Sequence, residues 1–187
     1  MIVSATEFLR GQTAVATHHR TWEWQTTPLP LQETIYVSST LPPDELISSA
    51  RVILRRGDEV MVIHDHENQP YIIPGGRREP GETVLQTLHR EIGEETGWTV
   101  REPAVLGFFH FQHIAPKPDG YPYPHPHFFW AIFTAQAERY DPTRLETDFY
   151  VTSARFHSIQ EVLTWQLGYG QHELLQTAVQ HKSTNYP

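Results

Sequence analysis

The chain has 187 residues, 39% apolar and 19% charged, which suits a single folded domain with a real core and leaves little room for two. A net charge of −8 argues against broad, charge-driven binding to nucleic acid, although a divalent cation can still bring a small phosphorylated molecule to an acidic site. The absence of cysteine excludes disulfides, thiolate metal sites and cysteine nucleophiles.

Met1 to Arg10 carries Glu7 and Arg10 and lacks the make-up of a signal peptide. No apolar run is long enough to span a bilayer, so no membrane association is expected and the cytoplasm is the expected compartment. Residues 1–45 read as an extension that packs on the main domain or on the second subunit of a homodimer. Within it Ser4 to Arg10 suits a helical turn, His18 to Trp24 shows no clear period, and Thr34 to Ser38 suits a short strand between prolines. The main domain is expected over residues 46–187. Ala50–Leu54 and Glu59–His64 are rich in β-formers and joined through Arg56-Gly57-Asp58, a hairpin pattern. Tyr71-Ile72-Ile73 suits a third strand, stopped by Pro74-Gly75-Gly76.

Thr83 to Thr96 then has helix formers and no proline. Leu85, Leu88 and Ile92 supply an apolar side, and Gly97 suits a left-handed stop. Strands are expected again at Val105–Ile114, Phe128–Ala137 and Val151–Phe156, with late helices at Ile159–Trp165 and Gln171–His181. This order predicts an α+β fold, an α/β/α sandwich with a mixed sheet flanked by helices.

The chemistry concentrates between Gly76 and Trp98. Glu91, Glu94 and Glu95 stand at i, i+3 and i+4 of the predicted helix and so neighbour one another on one face. Their mutual repulsion calls for compensation, and hard carboxylate oxygens suit Mg²⁺ or Mn²⁺. Arg90 is placed to fix one carboxylate by hydrogen bonds, and Glu82 stands near the positive end of the helix dipole. The Pro74-Gly75-Gly76-Arg77-Arg78 loop brings backbone close to the acidic side, and Arg77 and Arg78 are candidates for phosphate contact. A plain solvated glutamate face is the ordinary explanation for such a helix, and the longer pattern weighs against it.

That pattern is Gly76, five residues, Glu82, seven residues, then Arg90-Glu91-Ile92-Gly93-Glu94-Glu95-Thr96-Gly97-Trp98. Every fixed position of the box of the Nudix hydrolases is present, and the segment resembles that MutT-like family. The resemblance implies the Nudix fold, with the box as loop–helix–loop. It implies a Mg²⁺-dependent hydrolase (Mn²⁺ as substitute) that cleaves the diphosphate linkage of a nucleoside diphosphate joined to another moiety, by attack of an activated water. The partner it implies is therefore a small nucleotide diphosphate derivative. Glu91, Glu94, Glu95, the Gly75 carbonyl and Glu82, as a supporting or metal-linked carboxylate, look like the metal set. Arg90 looks like the residue that orients the glutamates. Glu95 and Glu94 are candidates for catalysis within the box. Glu138, Glu146 and Asp148 are later candidates for the base, Glu146 preferred.

Outside the box, Tyr121, Tyr123, His125 and His127 lie on a loop with five prolines, Ala115 to His127, and offer faces for stacking and hydrogen bonds to substrate. Loop packing and a structural metal are the other uses of such histidines. Tyr121-Pro122-Tyr123-Pro124 is similar to an alternating element of NADH-cleaving relatives but lacks its start, so no particular substrate is assigned. Trp22, Trp24 and Tyr36 read as core or interface aromatics, with a cover over the active site as the alternative. Two rival readings stand beside hydrolysis. An isopentenyl diphosphate isomerase-like enzyme needs a cysteine that the chain lacks. A non-catalytic Nudix-fold nucleotide-binding or regulatory module usually carries a degraded box, and this one is complete.

Overall fold

A computed structural model describes residues 4–146, 151–168 and 170–180. In chain order the elements are α1 (Ala5–Leu9), β1 (Ala14–Trp24), β2 (Thr27–Val37), β3 (Ile47–Arg56), β4 (Glu59–His64), β5 (Pro70–Tyr71), β6 (Gly75–Arg77), α2 (Val84–Thr96), β7 (Trp98–His113), β8 (His127–Tyr140), β9 (Ser153–Ser158), α3 (Ile159–Val162) and α4 (Gln171–Gln180). The strands form one mixed sheet in the order β1-β2-β7-β8-β3-β4-β5, with β6 added to β3 and β9 to β4. β3 and β8 run parallel; the other pairs are antiparallel. Among the described residues no helix is long and apolar enough to cross a membrane.

The two faces of the sheet bury separate cores, as the two-residue period of a strand requires. On β3, Val52 and Leu54 face a cluster with Phe108, Phe129 and the α2 residues Val84, Leu88 and Ile92. Ile53, between them, faces a second cluster with Val62, Phe111, Val162 of α3 and Leu174 of α4. Helices thus cover both faces, which makes the protein an α+β sandwich.

Several elements differ from the sequence-based expectation. β1 and β2 form a hairpin of two 11-residue strands, and β2 joins the sheet through Leu31–Val37 against β7. β1 shows no buried side chain because it is the outer strand of that hairpin, so its sequence carries little alternation. The third expected strand shrinks to Pro70–Tyr71. Ile72 and Ile73 are fully buried, and the Ile72 N–H donates to Gln171 Oε1 at 2.8 Å instead of to a strand. Gly75–Arg77, read as a stop, pairs again with β3. A Cβ on Gly75 would come within 2.3 Å of the Ala50 carbonyl, and its φ of 130° suits glycine. Leu85 is 44% exposed, and Val84 takes the buried place in the first turn of α2. The spacing of apolar residues puts both on the stripe, so period alone cannot choose between them.

Candidate active site

The helix α2 is held in place at both ends. The Thr83 hydroxyl accepts from the Gln86 N–H and Gln86 Oε1 accepts from the Thr83 N–H, a reciprocal cap. At the other end Gly97 takes a φ of 72°. With Val84, Leu88 and Ile92 buried on the sheet, the flank bearing Glu91, Glu94 and Glu95 turns to a cavity of about 540 Å³.

Arg90 organises this flank. Its Nε and Nη2 donate to the two oxygens of Glu82 at 2.7 and 3.0 Å. Nη1 bridges Glu91 and Glu94 at 3.0 and 2.9 Å, and Nη2 also meets the Arg77 carbonyl at 2.9 Å. Glu82 accepts further bonds from Thr87 Oγ1 and the Glu79 N–H. The Arg90 hydrogen bond, backed by those donors, holds the Glu82 carboxyl down to about 2. Both Glu82 oxygens are thus engaged by Arg90, Thr87 and the Glu79 N–H, which fixes the Arg90 guanidinium at the start of the helix.

Glu91 is less exposed than Glu82 and Glu94. Its side chain is 14% exposed, and burial pushes its pKa up; Arg90 opposes that rise and Glu94 adds to it. Its carboxylate lies against Gly76, where a Cβ would fall within 2.3–2.5 Å of it. Glu95 Oε2 accepts from the Gly75 N–H at 2.6 Å, which ties the third acid to the loop. Among the described residues no three carboxylates or imidazoles already converge as a cation cage; Arg90 gathers Glu91 and Glu94 instead. The donor chemistry nevertheless fits a hard divalent cation. It offers adjacent carboxylates, one of them buried against a like charge, beside a glycine cradle with no room for a side chain.

A later loop returns to the helix. The Asp141 N–H donates to the Gly97 carbonyl at 2.7 Å and the Glu146 N–H to the Glu94 carbonyl at 3.0 Å. Arg144 Nη2 donates to the His89 carbonyl at 2.7 Å, and its guanidinium fills the space beside Gly93. Glu146 therefore lines the same cavity as Glu91, Glu94 and Glu95. Glu138 does not; it meets Thr99 at 3.4 Å. Asp148 lies outside the described residues.

The loop residues divide. Arg77, Tyr121 and Tyr123 line a second cleft, of about 460 Å³, and Arg77 Nη1 donates to the Tyr123 hydroxyl with its guanidinium over the ring. Arg78, expected at phosphate, is used otherwise: it donates to the Glu82 carbonyl and to the carbonyl and carboxylate of Asp44. His125 and His127, expected at substrate, turn into the packing of the loop. His125 bonds the Ala115 carbonyl and stacks on His113, and His127 bonds and stacks on His110. Burial holds His110 and His113, their ring partners, down to about 4.

Arg51 and Arg144 escaped sequence reasoning. Arg51 lines the second cleft with its guanidinium 4.3 Å over Trp130, and its buried Nε has no hydrogen-bond partner among the described residues. A lone cation inside the apolar run Ala50–Leu54 was the available signal.

A model of the NUDIX domain matches residues 45–178, well over half of the chain, and the protein belongs to that family. It is 38% identical over 58 residues to the 8-oxo-dGDP phosphatase NUDT18 of Mus musculus, a stretch that covers 29% of this chain and 18% of that protein. It is 29% identical over 93 residues to the uncharacterized Nudix hydrolase YvcI of Bacillus subtilis (strain 168), with 47% and 51% covered. The matched stretches thus span about half of these relatives' length or less. The solved structure of a NUDIX hydrolase from Nitrosomonas europaea superposes with a TM-score of 0.52 at 20% identity, over 72% of this chain and 88% of that one, a likeness of fold.

Proposed function

We propose that the protein is a metal-dependent hydrolase that cleaves the diphosphate linkage of a nucleoside diphosphate joined to another moiety. The observation that carries this reading is the gathering of Glu91, Glu94, Glu95 and Glu146 around one cavity beside the Gly75-Gly76 loop. Family membership and a complete box support it.

Glu91, Glu94, Glu95 and the Gly75 carbonyl would hold Mg²⁺ or Mn²⁺. Once bound, such a cation neutralises phosphate oxygens and makes a water more acidic. The protein's own groups do the rest. Arg90, fixed by Glu82, keeps Glu91 and Glu94 aligned. Arg77 and Arg51 present positive charge to the diphosphate from the adjoining cleft. Glu146 accepts the proton of the attacking water, with Glu95 as the alternative within the box. Attack at one phosphorus breaks its bond to the bridging oxygen, and the other phosphoryl group leaves with that oxygen.

The test is hydrolysis of a panel of nucleoside diphosphate derivatives with Mg²⁺, with released phosphate or nucleotide scored. Glu94→Gln and Glu95→Gln should each lose most turnover while the fold, read by circular dichroism, persists. Near-normal turnover in both variants defeats the reading. Nucleotide binding without turnover in the unmodified protein favours the non-catalytic module.

A further inference from the structure

The cleft beside the box is built in part by residues that lie outside the family match. The family model begins at residue 45, whereas the β1–β2 hairpin spans Ala14–Val37. Of β2, only Leu31–Val37 pairs with β7; the end of the hairpin, where Trp22 faces Leu29 and Trp24 faces Thr27, runs past the sheet. It reaches the proline-rich loop. Trp24 meets Tyr121 and Tyr123 edge-on, with centroids 5.3 and 5.7 Å away, while Trp22 stacks on Trp130 at 5.9 Å. Each of these rings except Tyr121 is only half-buried, so the cleft has aromatic walls with surface left to cover.

The floor of the same cleft is bonded to the box loop. Ser49 Oγ donates to the Gly76 carbonyl at 2.6 Å, and Arg77 shares its carbonyl with Arg90. The cleft therefore holds two cations against its aromatic walls, Arg51 over Trp130 and Arg77 over Tyr123, and Arg77 joins it to the acidic helix through Arg90. Aromatic rings make up most of the remaining wall, with Glu23, Ser48 and Ser49 as its other polar groups. A volume of about 460 Å³ lies within the range of small-molecule sites. A ligand with a flat ring joined to a phosphate matches this layout: the ring stacks on aromatic faces and the phosphate meets the arginines.

We infer that the β1–β2 hairpin is the base-recognition element of this protein: Trp24, with Trp22 and Trp130, holds the nucleobase while Arg51 and Arg77 take the phosphate attached to it. The inference rests on the hydrolase reading for the rest of the substrate, but its binding step needs neither metal nor turnover. Base–aromatic stacking tolerates different bases, so the hairpin selects a nucleoside over a bare sugar more strongly than one base over another.

Calorimetric titration in EDTA, with nucleoside 5′-monophosphates and with ribose 5-phosphate, tests this. The unmodified protein should bind the nucleotides about tenfold or more tightly than the sugar phosphate. Trp24→Ala should erase most of that difference, and Trp24→Phe, which keeps a ring, should retain most of it. Equal affinity for nucleotide and sugar phosphate, no binding of either, or an unchanged preference in Trp24→Ala overturns the inference. If Trp24→Ala does not fold, loss of the preference in Trp24→Phe overturns it as well. The two readings fail separately. Diphosphate hydrolysis without base preference removes the hairpin's role and leaves the hydrolase, and base preference without hydrolysis does the reverse.

Discussion

The Nε of Arg90 meets Oε1 of Glu82 at 2.7 Å, across eight residues of chain that turn from the loop into the box helix. Glu82 is pinned in turn by Thr87 and the Glu79 N–H, so the guanidinium sits in a fixed frame. From that frame its remaining nitrogens reach Glu91, Glu94 and the Arg77 carbonyl. A planar fork is required, and a lysine ammonium cannot serve these five acceptor oxygens on four residues. Arg90→Lys should keep the fold and lose about 10- to 100-fold in kcat or in metal affinity. Steady-state kinetics with a Mg²⁺ titration, beside a thermal melt, reads both. Full activity in Arg90→Lys would mean that the glutamates orient themselves.

Gly76 offers a narrower probe. An alanine methyl there would overlap the Glu91 carboxylate, the far end of a flexible side chain, rather than backbone. The clash can be relieved by moving Glu91, which displaces the acid from its cradle at small cost to the fold. Gly76→Ala should therefore lower the melting temperature little and raise the Mg²⁺ concentration needed for half-maximal activity several-fold. Gly75→Ala should behave differently, because its Cβ would strike the Ala50 carbonyl, and unfolding should dominate.

The box helix and its acids are legible in the sequence because their meaning is local. The spacing of Glu91, Glu94 and Glu95 sets their neighbours, Thr83 and Gly97 mark the ends, and the long pattern from Gly76 to Trp98 leaves little ambiguity. What escapes is tertiary. Nothing near Arg78 says that Asp44, 34 residues away, will take its nitrogens. The loop histidines look ready for ligands, and only the folded structure shows His125 and His127 bonded inside the protein. The hairpin is hard to read for a related reason. Its outer strand buries no side chain, so the alternation that reveals a strand is weak there.

Arg144 and Glu146 form a coupled pair in the later loop. Arg144 docks on Gly93 and the His89 carbonyl, and two residues on the Glu146 N–H docks on the Glu94 carbonyl. If Glu146 takes the proton from water, Arg144 acts as a positioning residue by strapping its loop to the helix. Glu146→Gln should lower kcat with little change in KM. Arg144→Ala should do the same to a lesser degree, and the double variant should be no worse than Glu146→Gln alone. Fully additive losses would show that Arg144 acts by some route other than Glu146.

The imidazole cluster predicts how stability depends on pH. His110 and His113 are each 4% exposed, and His110 Nε2 lies 3.0 Å from His127 Nδ1. Burial, with the neighbouring imidazole adding to it, holds His110 and His113 near 4, well below the ordinary value of 6.5. Between those values the unfolded chain binds protons that the folded chain refuses, so acid favours unfolding. The contribution is complete above about pH 6.5 and is lost as pH falls toward about 4, at up to about 1.4 kcal/mol per pH unit for each group. Urea unfolding at intervals from pH 7 to 4.5 should show this slope. His110→Phe keeps a ring against Phe129, which the imidazole already faces at 4.9 Å, and removes one proton site. Its slope should be flatter than that of the unmodified protein. The comparison between the two cancels the carboxylates common to both, so identical slopes would show that His110 takes up its proton as readily in the folded state as in the unfolded one.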